Sequence, residues 1–378
     1  MYNSRKELKN WLSGSRKKPI LIAGGFVIMF FYVFGAARPI PEETVLAFRW
    51  IHSLATMHPV APNAYTGGSP LLAFELGERF GYVDRDGVFT VNRTKSGDVS
   101  LSQDYWAEYG AIPGKVEVKD PLNAPVMTLE MEDGLRGYPF LLDKRMFLIN
   151  SEQNSISALD EGGKVAWTYD FGAVVTCVDA AGGLLLAGSL DGVVEVLDGS
   201  GKRVFFFEPG GSRLSVIAGC AFSEDGSKIA IVSGVDEQRF LLMERLREDG
   251  VGEYRVTRHE FLGAGFRRPV RVAFVDGESR VVFEREGGLG IYELSSHKSL
   301  TLALDGEVVA VDGSGNGGLL FLLLAEEGER RRLAAVKFPS TLMFAAPFDS
   351  DAVFLGRDRE YLYVGGGAKL ASFEIVKR

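Results

Sequence analysis

The side chains able to do chemistry are few, and they are scattered. The four histidines are His52, His58, His259 and His297, and no two of them stand at the His-Glu-x-x-His spacing that puts two imidazoles on one face of a helix to hold zinc. Asp84-Arg85-Asp86-Gly87 has the opening of a calcium loop, but Val88, Phe89 and Thr90 follow where further oxygen ligands are needed, so a hairpin turn is the better reading. Gly313 to Gly318 is rich enough in glycine to cradle a phosphate. It runs into the strand-like Leu319 to Leu324 rather than a helix N-terminus, and no lysine follows to bind the anion. Cys177 and Cys220 fall in inner strands of adjacent predicted repeats. A disulfide requires Cα atoms within about 7 Å, which such neighbours only sometimes allow, so a pair of buried thiols is preferred and a bridge stays open. No metal, no cofactor and no catalytic constellation is implied, and the expectation is a protein without enzymatic activity.

Two clusters suit recognition instead. Asp104-Tyr105-Trp106-Ala107-Glu108-Tyr109 is an aromatic run flanked by polar sequence, and Tyr and Trp are enriched at interface hot spots. Arg267, Arg268 and Arg271, with Arg255 and Arg258 nearby, concentrate positive charge between two repeats. Tyr105, Trp106, Tyr109, Arg267, Arg268 and Arg271 are therefore the candidate partner-binding residues. The competing reading is that Trp106 packs its own segment onto the first repeat and that the arginines are solvated loop charge. Nucleic acid is not an expected partner, because an acidic chain repels polyanions.

The elements that must position these residues are short strands. The chain has 378 residues, 46% apolar and 24% charged, a globular balance that excludes disorder. Its 46 glycines are well above the usual ~7%. Asp-Gly occurs nine times, at Asp86, Asp133, Asp191, Asp198, Asp225, Asp249, Asp276, Asp305 and Asp312; the dipeptide suits type I′ hairpin turns and predicts antiparallel neighbours. From Gly67 to Arg378 apolar runs of five to eight residues alternate with such turns, and nothing is long or 3.6-periodic enough for a helix. The groups also repeat. Leu159-Asp160-Glu161-Gly162-Gly163-Lys164-Val165-Ala166-Trp167 and Leu197-Asp198-Gly199-Ser200-Gly201-Lys202-Arg203-Val204-Phe205 share Leu, Asp, Gly, Lys and a closing aromatic at an offset of 38. Looser copies begin near Pro70, Tyr138, Val174, Val216, Val270, Val308 and Ala352, with spacings of 68, 36, 42, 54, 38 and 44. These approach the ~40 to 50 residues of a four-stranded propeller blade. The expected fold is an all-β propeller of about seven blades, six or eight being possible, over residues 67–378, with an insertion at 96–125 accounting for the 68-residue spacing. The run Leu319 to Leu324 fits a strand buried on both faces.

The N-terminus has a different character. Residues 1–18 carry six basic side chains and Glu7, a net of +5, leaving -13 for the rest of a chain whose total is -8. Residues 19–37 are uncharged (PILIAGGFVIMFFYVFGAA) and as a helix would match a ~30 Å hydrocarbon core. The expectation is a basic cytoplasmic tip (1–18), a transmembrane helix (19–37) and a Pro-rich tether (38–66), with the C-terminal domain periplasmic. An uncleaved signal-anchor is favoured over cleavage before Arg38. The last repeat offers three strands, at Ala352 to Gly356, Tyr361 to Gly365 and Leu370 to Val376, so its outer strand should come from 44–51 in the tether.

The Leu159 to Trp167 segment resembles the PQQ-type propeller repeat, with a small residue, Asp, a Gly turn and Trp in order. Ala221-Phe222-Ser223-Glu224-Asp225-Gly226-Ser227-Lys228-Ile229-Ala230 resembles the inner-strand turn of WD-repeat blades. The plan, a propeller on a membrane anchor, is similar to the propeller subunit of the bacterial outer-membrane barrel assembly machinery, a binding scaffold without enzymatic activity. That resemblance implies a membrane-tethered scaffold binding another envelope protein. Two alternatives stand beside it. One is a small-ligand sensor using the central channel. The other is an exported quinone-dependent dehydrogenase or a lactonase, although the chain lacks the vicinal cysteine pair and the many repeated Trp of the former and any acid and His cluster for the latter.

Overall fold

The computed structural model describes residues 24–32, 44–55, 65, 67, 69–112, 114–130, 137–142, 144–246, 253–263, 265–315 and 318–377. The chain divides into two bodies, Met1–Val45 with Val376–Arg378, and Leu46–Ile375. In the first, the helix described is 24–32, nine residues that are all exposed. No helix among the described residues is long and apolar enough to cross a membrane. This corrects the expected transmembrane helix at 19–37: an uncharged run specifies hydrophobicity, not helix length. The basic tip 1–18 and most of the tether 38–66 lie outside the described residues.

The second body is all β. Among the described residues its strands form eight antiparallel sheets, seven of four strands and one of three, so the blade count is eight and the expectation of about seven is corrected. The segment read as an insertion is the reason. Asp98–Leu101, Trp106–Tyr109, Lys115–Lys119 and Pro125–Glu130 pair in sequence as a complete blade, and the 68-residue spacing was two blades. Its strands are short and polar, with alternation clearest in Lys115–Lys119 (KVEVK). The sheet of three is Leu72–Leu76, Arg79–Val83 and Phe89–Thr94. In the last blade, Val353–Asp358, Tyr361–Gly366 and Lys369–Lys377 pair in order, and Thr44–Ser53 adds outside Lys369–Lys377. Arg49 meets Glu374 at 3.5 Å and Phe48 meets Phe373 edge-on at 6.0 Å across that seam.

The hairpins show why the 38-residue repeat was visible. Asp160 Oδ1 accepts the N–H of Gly162 and of Lys164, each at 2.9 Å, and Gly163 N donates to Asp160 O at 3.0 Å. Gly163 is left-handed, with φ 78°. This is a three-residue loop with a glycine bulge, the Asp serving as side-chain acceptor at its start, and the same form replaces the type I′ turn expected at Asp198-Gly199. Asp198 makes the same loop with Ser200, Lys202 and Gly201 (φ 80°). The glycine has a second duty. A Cβ on Gly201 would lie 2.6 Å from the Trp167 ring, and Trp167 Nε1 donates to Gly199 O at 3.0 Å. The Trp167 ring on one blade's outer strand thus docks on the turn of the next blade.

The core is divided among the blade junctions. Eight buried clusters each join two adjacent sheets: for example Phe147, Ile156 and Ala158 with Val175, Leu185 and Ala187, or Phe80, Tyr82 and Val91 with Trp106. At another junction Phe240 and Phe283, both fully buried, stack at 4.1 Å and 8°. A further cluster joins the last blade (Tyr363, Leu370) to the first (Leu72, Phe74, Phe89) and so closes the ring. Sheets covered on both faces need no polar/apolar alternation, which is how Leu319–Ala325 is buried through Leu324.

Candidate functional site

The six candidate residues are not brought together. Trp106 is 2% exposed. It packs at 5.2 Å against Phe80 of the preceding blade and donates Nε1 to Asp120 O at 3.1 Å, with the Arg93 and Lys119 cations over its ring. A ring so enclosed cannot reach a partner, and its assignment to partner binding is corrected to packing between blades. Tyr105 and Tyr109 are half-buried against the cluster of Val116, Val118 and Leu148. Burial raises the Tyr109 phenol above its ordinary range, Asp98 adding to it. The sequence showed aromatic residues among polar ones but not the neighbouring blade that covers them.

The arginines divide by how their charge is used. Arg268 forms a two-pronged pair with Glu284, Nη2 to Oε1 at 3.1 Å and Nη1 to Oε2 at 3.2 Å. Its Nε reaches Glu307 of the next blade at 3.1 Å, and its guanidinium lies 4.5 Å from the Phe266 ring. Glu284 is almost fully buried and also accepts the Arg271 N–H at 2.7 Å. Burial works against the charged form of Arg268, but Glu284 and Glu307 outweigh it and the net direction is upward. Arg271 Nε donates to Val308 O at 3.2 Å. Arg268 and Arg271 therefore fasten one blade to the next, while Arg267 is exposed.

Arg267 and Arg268 border a cavity of about 710 Å³ together with Thr176, Leu190, Asp191, Arg213, Leu214 and Phe266. The cavity sits where two segments that lead from an outer strand to the next inner strand, 208–216 and 265–271, meet the turn at 190–193. Val216, Ile217, Ala218 and Pro269 supply much of an apolar lining. On its rim Leu190 is 54% and Leu214 56% exposed. Asp236 holds the rim segment in place. It accepts the Ser212 hydroxyl and the N–H groups of Arg213 and Leu214, and its carboxyl lies well below the usual range, chiefly through the Ser212 hydroxyl. Sequence reasoning missed Leu190, Leu214 and Asp236; exposed leucines in turns were the one signal available.

A second cavity, of about 560 Å³, is lined by acidic rather than basic side chains, Asp179, Glu224 and Glu278, and by Cys220. Cys177 and Cys220 are free thiols; a hydrogen bond between them, with burial, pushes the Cys220 thiol well above its usual range. The described histidines are dispersed: His52 against Trp50, His259 against Phe261, and His297 on the Tyr292 hydroxyl, while His58 lies outside the described residues. No group of three or more His, Cys, Asp or Glu that could hold a metal occurs among the described residues. In the glycine-rich loop Gly318 N donates to Asp276 Oδ1 at 2.9 Å, so an internal carboxylate takes the N–H a phosphate would use.

Eight radially packed sheets with a closed seam define a β-propeller, and the chain belongs to the beta-propeller protein family, whose model matches residues 13–378. An uncharacterized protein of Treponema pallidum (strain Nichols) is 26% identical to it over 370 residues, 95% of each chain. Among solved structures it is similar to BamB from Moraxella catarrhalis, with a TM-score of 0.57 at 14% identity, over 87% of this chain and 100% of that one. At that identity the likeness is one of fold.

Proposed function

We propose that this propeller is a non-catalytic protein-protein interaction scaffold of the bacterial cell envelope. The observation that carries the reading is the 710 Å³ cavity with Leu190 and Leu214 on its rim and Arg267 facing outward. Exposed leucines beside arginine on a rigid ring are what a protein partner buries. The envelope part of the reading is supported by the order of the sequence, a basic start, the uncharged run 19–37 and an acidic remainder. The PQQ-type likeness of the Leu159 to Trp167 repeat and the shared fold with BamB are consistent with it.

The cavity volume also lies in the range of small-molecule sites, about 300 to 1,000 Å³, and for that reason the ligand-sensor reading is retained as the second. The test is a cross-linked pull-down of the full chain from membranes of its own bacterium. One stoichiometric envelope protein is expected. A bound small molecule released on denaturation, with no protein partner, would favour the sensor, and substrate turnover by the purified chain would overturn both.

A further inference from the structure

We infer that the cavity bounded by Leu190, Leu214 and Arg267 takes a partner segment in which a large apolar side chain is followed closely by a carboxylate. The inference rests on the scaffold reading and names the chemistry that its partner must present. Most of the charges around the cavity already have partners. Arg268 is spent twice, on Glu284 and Glu307, and its guanidinium is held against Phe266. Arg213 is spent in part: its Nε lies 3.3 Å from Asp236 Oδ2, while its side chain is 94% exposed, so the outer nitrogens of its fork remain for another acceptor. Arg267 has no ion pair or hydrogen bond to a described residue. The one carboxylate on the lining is Asp191, whose Oδ1 accepts the Ser189 hydroxyl. Two guanidinium forks thus remain available on the side of 213 and 267, next to an apolar lining of Val216, Ile217, Ala218 and Phe266.

An apolar side chain in the cavity would cover Leu190 and Leu214, which the fold leaves uncovered. A carboxylate beside it would meet a planar fork able to hold it by two hydrogen bonds. A purely apolar segment would leave Arg267 partly desolvated without an acceptor, and a basic one would be repelled by both forks. The rim is preorganised for such a ligand, because Asp236 fixes the Arg213 and Leu214 backbone and Arg268 anchors the connection that carries Arg267.

The test uses the full chain and three fluorescent nine-residue peptides, identical except that the central pairs are Leu-Asp, Leu-Asn or Ala-Asp. Anisotropy is read at low salt and at about 0.5 M salt. The Leu-Asp peptide is expected to bind about tenfold or more tightly than either of the others, with salt removing the advantage over Leu-Asn. Arg267→Gln should reduce the preference for Asp over Asn several-fold, and Leu214→Ser should weaken the peptides that carry Leu; both residues are exposed, and unchanged thermal melts check that the variants fold. Equal binding of Leu-Asp and Leu-Asn, binding indifferent to both substitutions, or no binding of any peptide overturns the inference. The same variants in the membrane pull-down separate it from the scaffold reading. A partner that the wild-type chain captures and both variants still capture disproves the cavity's role and leaves the scaffold standing, whereas no partner for the wild-type chain disproves the scaffold itself.

Discussion

Arg268 holds two glutamates at the same distance, 3.1 Å, yet the two pairs should differ several-fold in worth. Glu284 is 3% exposed and Glu307 51% at the side chain. Replacing Glu284 with Gln removes the negative charge and turns an amide donor toward a guanidinium that only donates, and it weakens the acceptor of the Arg271 N–H. Breaking a buried pair from one side costs roughly 3 to 5 kcal/mol. Arg268 is itself one-third exposed and keeps Glu307, so solvent screening lowers the expected loss to about 2 kcal/mol. Glu307→Gln breaks an exposed pair and should cost at most about 0.5 kcal/mol. The assay is urea unfolding of the full chain followed by tryptophan fluorescence, comparing midpoints at constant slope. A double-mutant cycle with Arg268→Ala should return a coupling of about 1 kcal/mol or more for Glu284. If Glu284→Gln and Glu307→Gln shift the midpoint equally, the argument that burial sets the value of these pairs is wrong.

Three further outcomes follow from the same geometry. Gly201→Ala adds a Cβ 2.6 Å from the Trp167 ring at a positive φ and should cost about 2 kcal/mol or more, with a change in Trp fluorescence; a melt within 1 °C of wild type would contradict the docking of Trp167 on that turn. Because the Cys220 thiol is raised by Cys177 and by burial, its thiolate is scarce at neutral pH and appears only as pH rises past the ordinary cysteine range. Iodoacetamide should therefore label Cys220 more slowly than a free thiol at pH 8, and faster once Cys177→Ala removes the hydrogen bond; full labelling at the free-thiol rate in the wild-type chain would refute this. Deleting residues 44–53 exposes the edge of Lys369–Lys377 and removes Phe48 from Phe373 and Trp50 from Tyr363, so the whole propeller should melt lower, and unchanged thermal unfolding would count against closure of the ring by that strand.

Blades that carry the Asp-Gly turn were plain in the sequence, since Asp160, Gly163 and Trp167 recur as Asp198, Gly201 and Phe205, and the aspartates and Gly201 make contacts that few other residues could. The second blade was not, because its strands are as short as four residues and rich in polar side chains, which read as loop until their pairing is seen. The cavity was legible only through Arg267 and Arg268. Its leucines, Leu190 and Leu214, are separated in sequence and border one cavity because a hairpin within one blade and the connection leaving that blade come together there.

By itself, then, the sequence determined what depends on local geometry: short strands, glycine turns, a repeat and an all-β ring. The tertiary structure decided what depends on neighbours distant along the chain: how many blades close the ring, that Trp106 is core, and that Arg268 is ion-paired while Arg267 is exposed with no ion pair among the described residues. The division has a physical cause. A turn is set by φ values and hydrogen bonds within about five residues, but burial and the state of a charge are set by whichever side chains the fold brings against it.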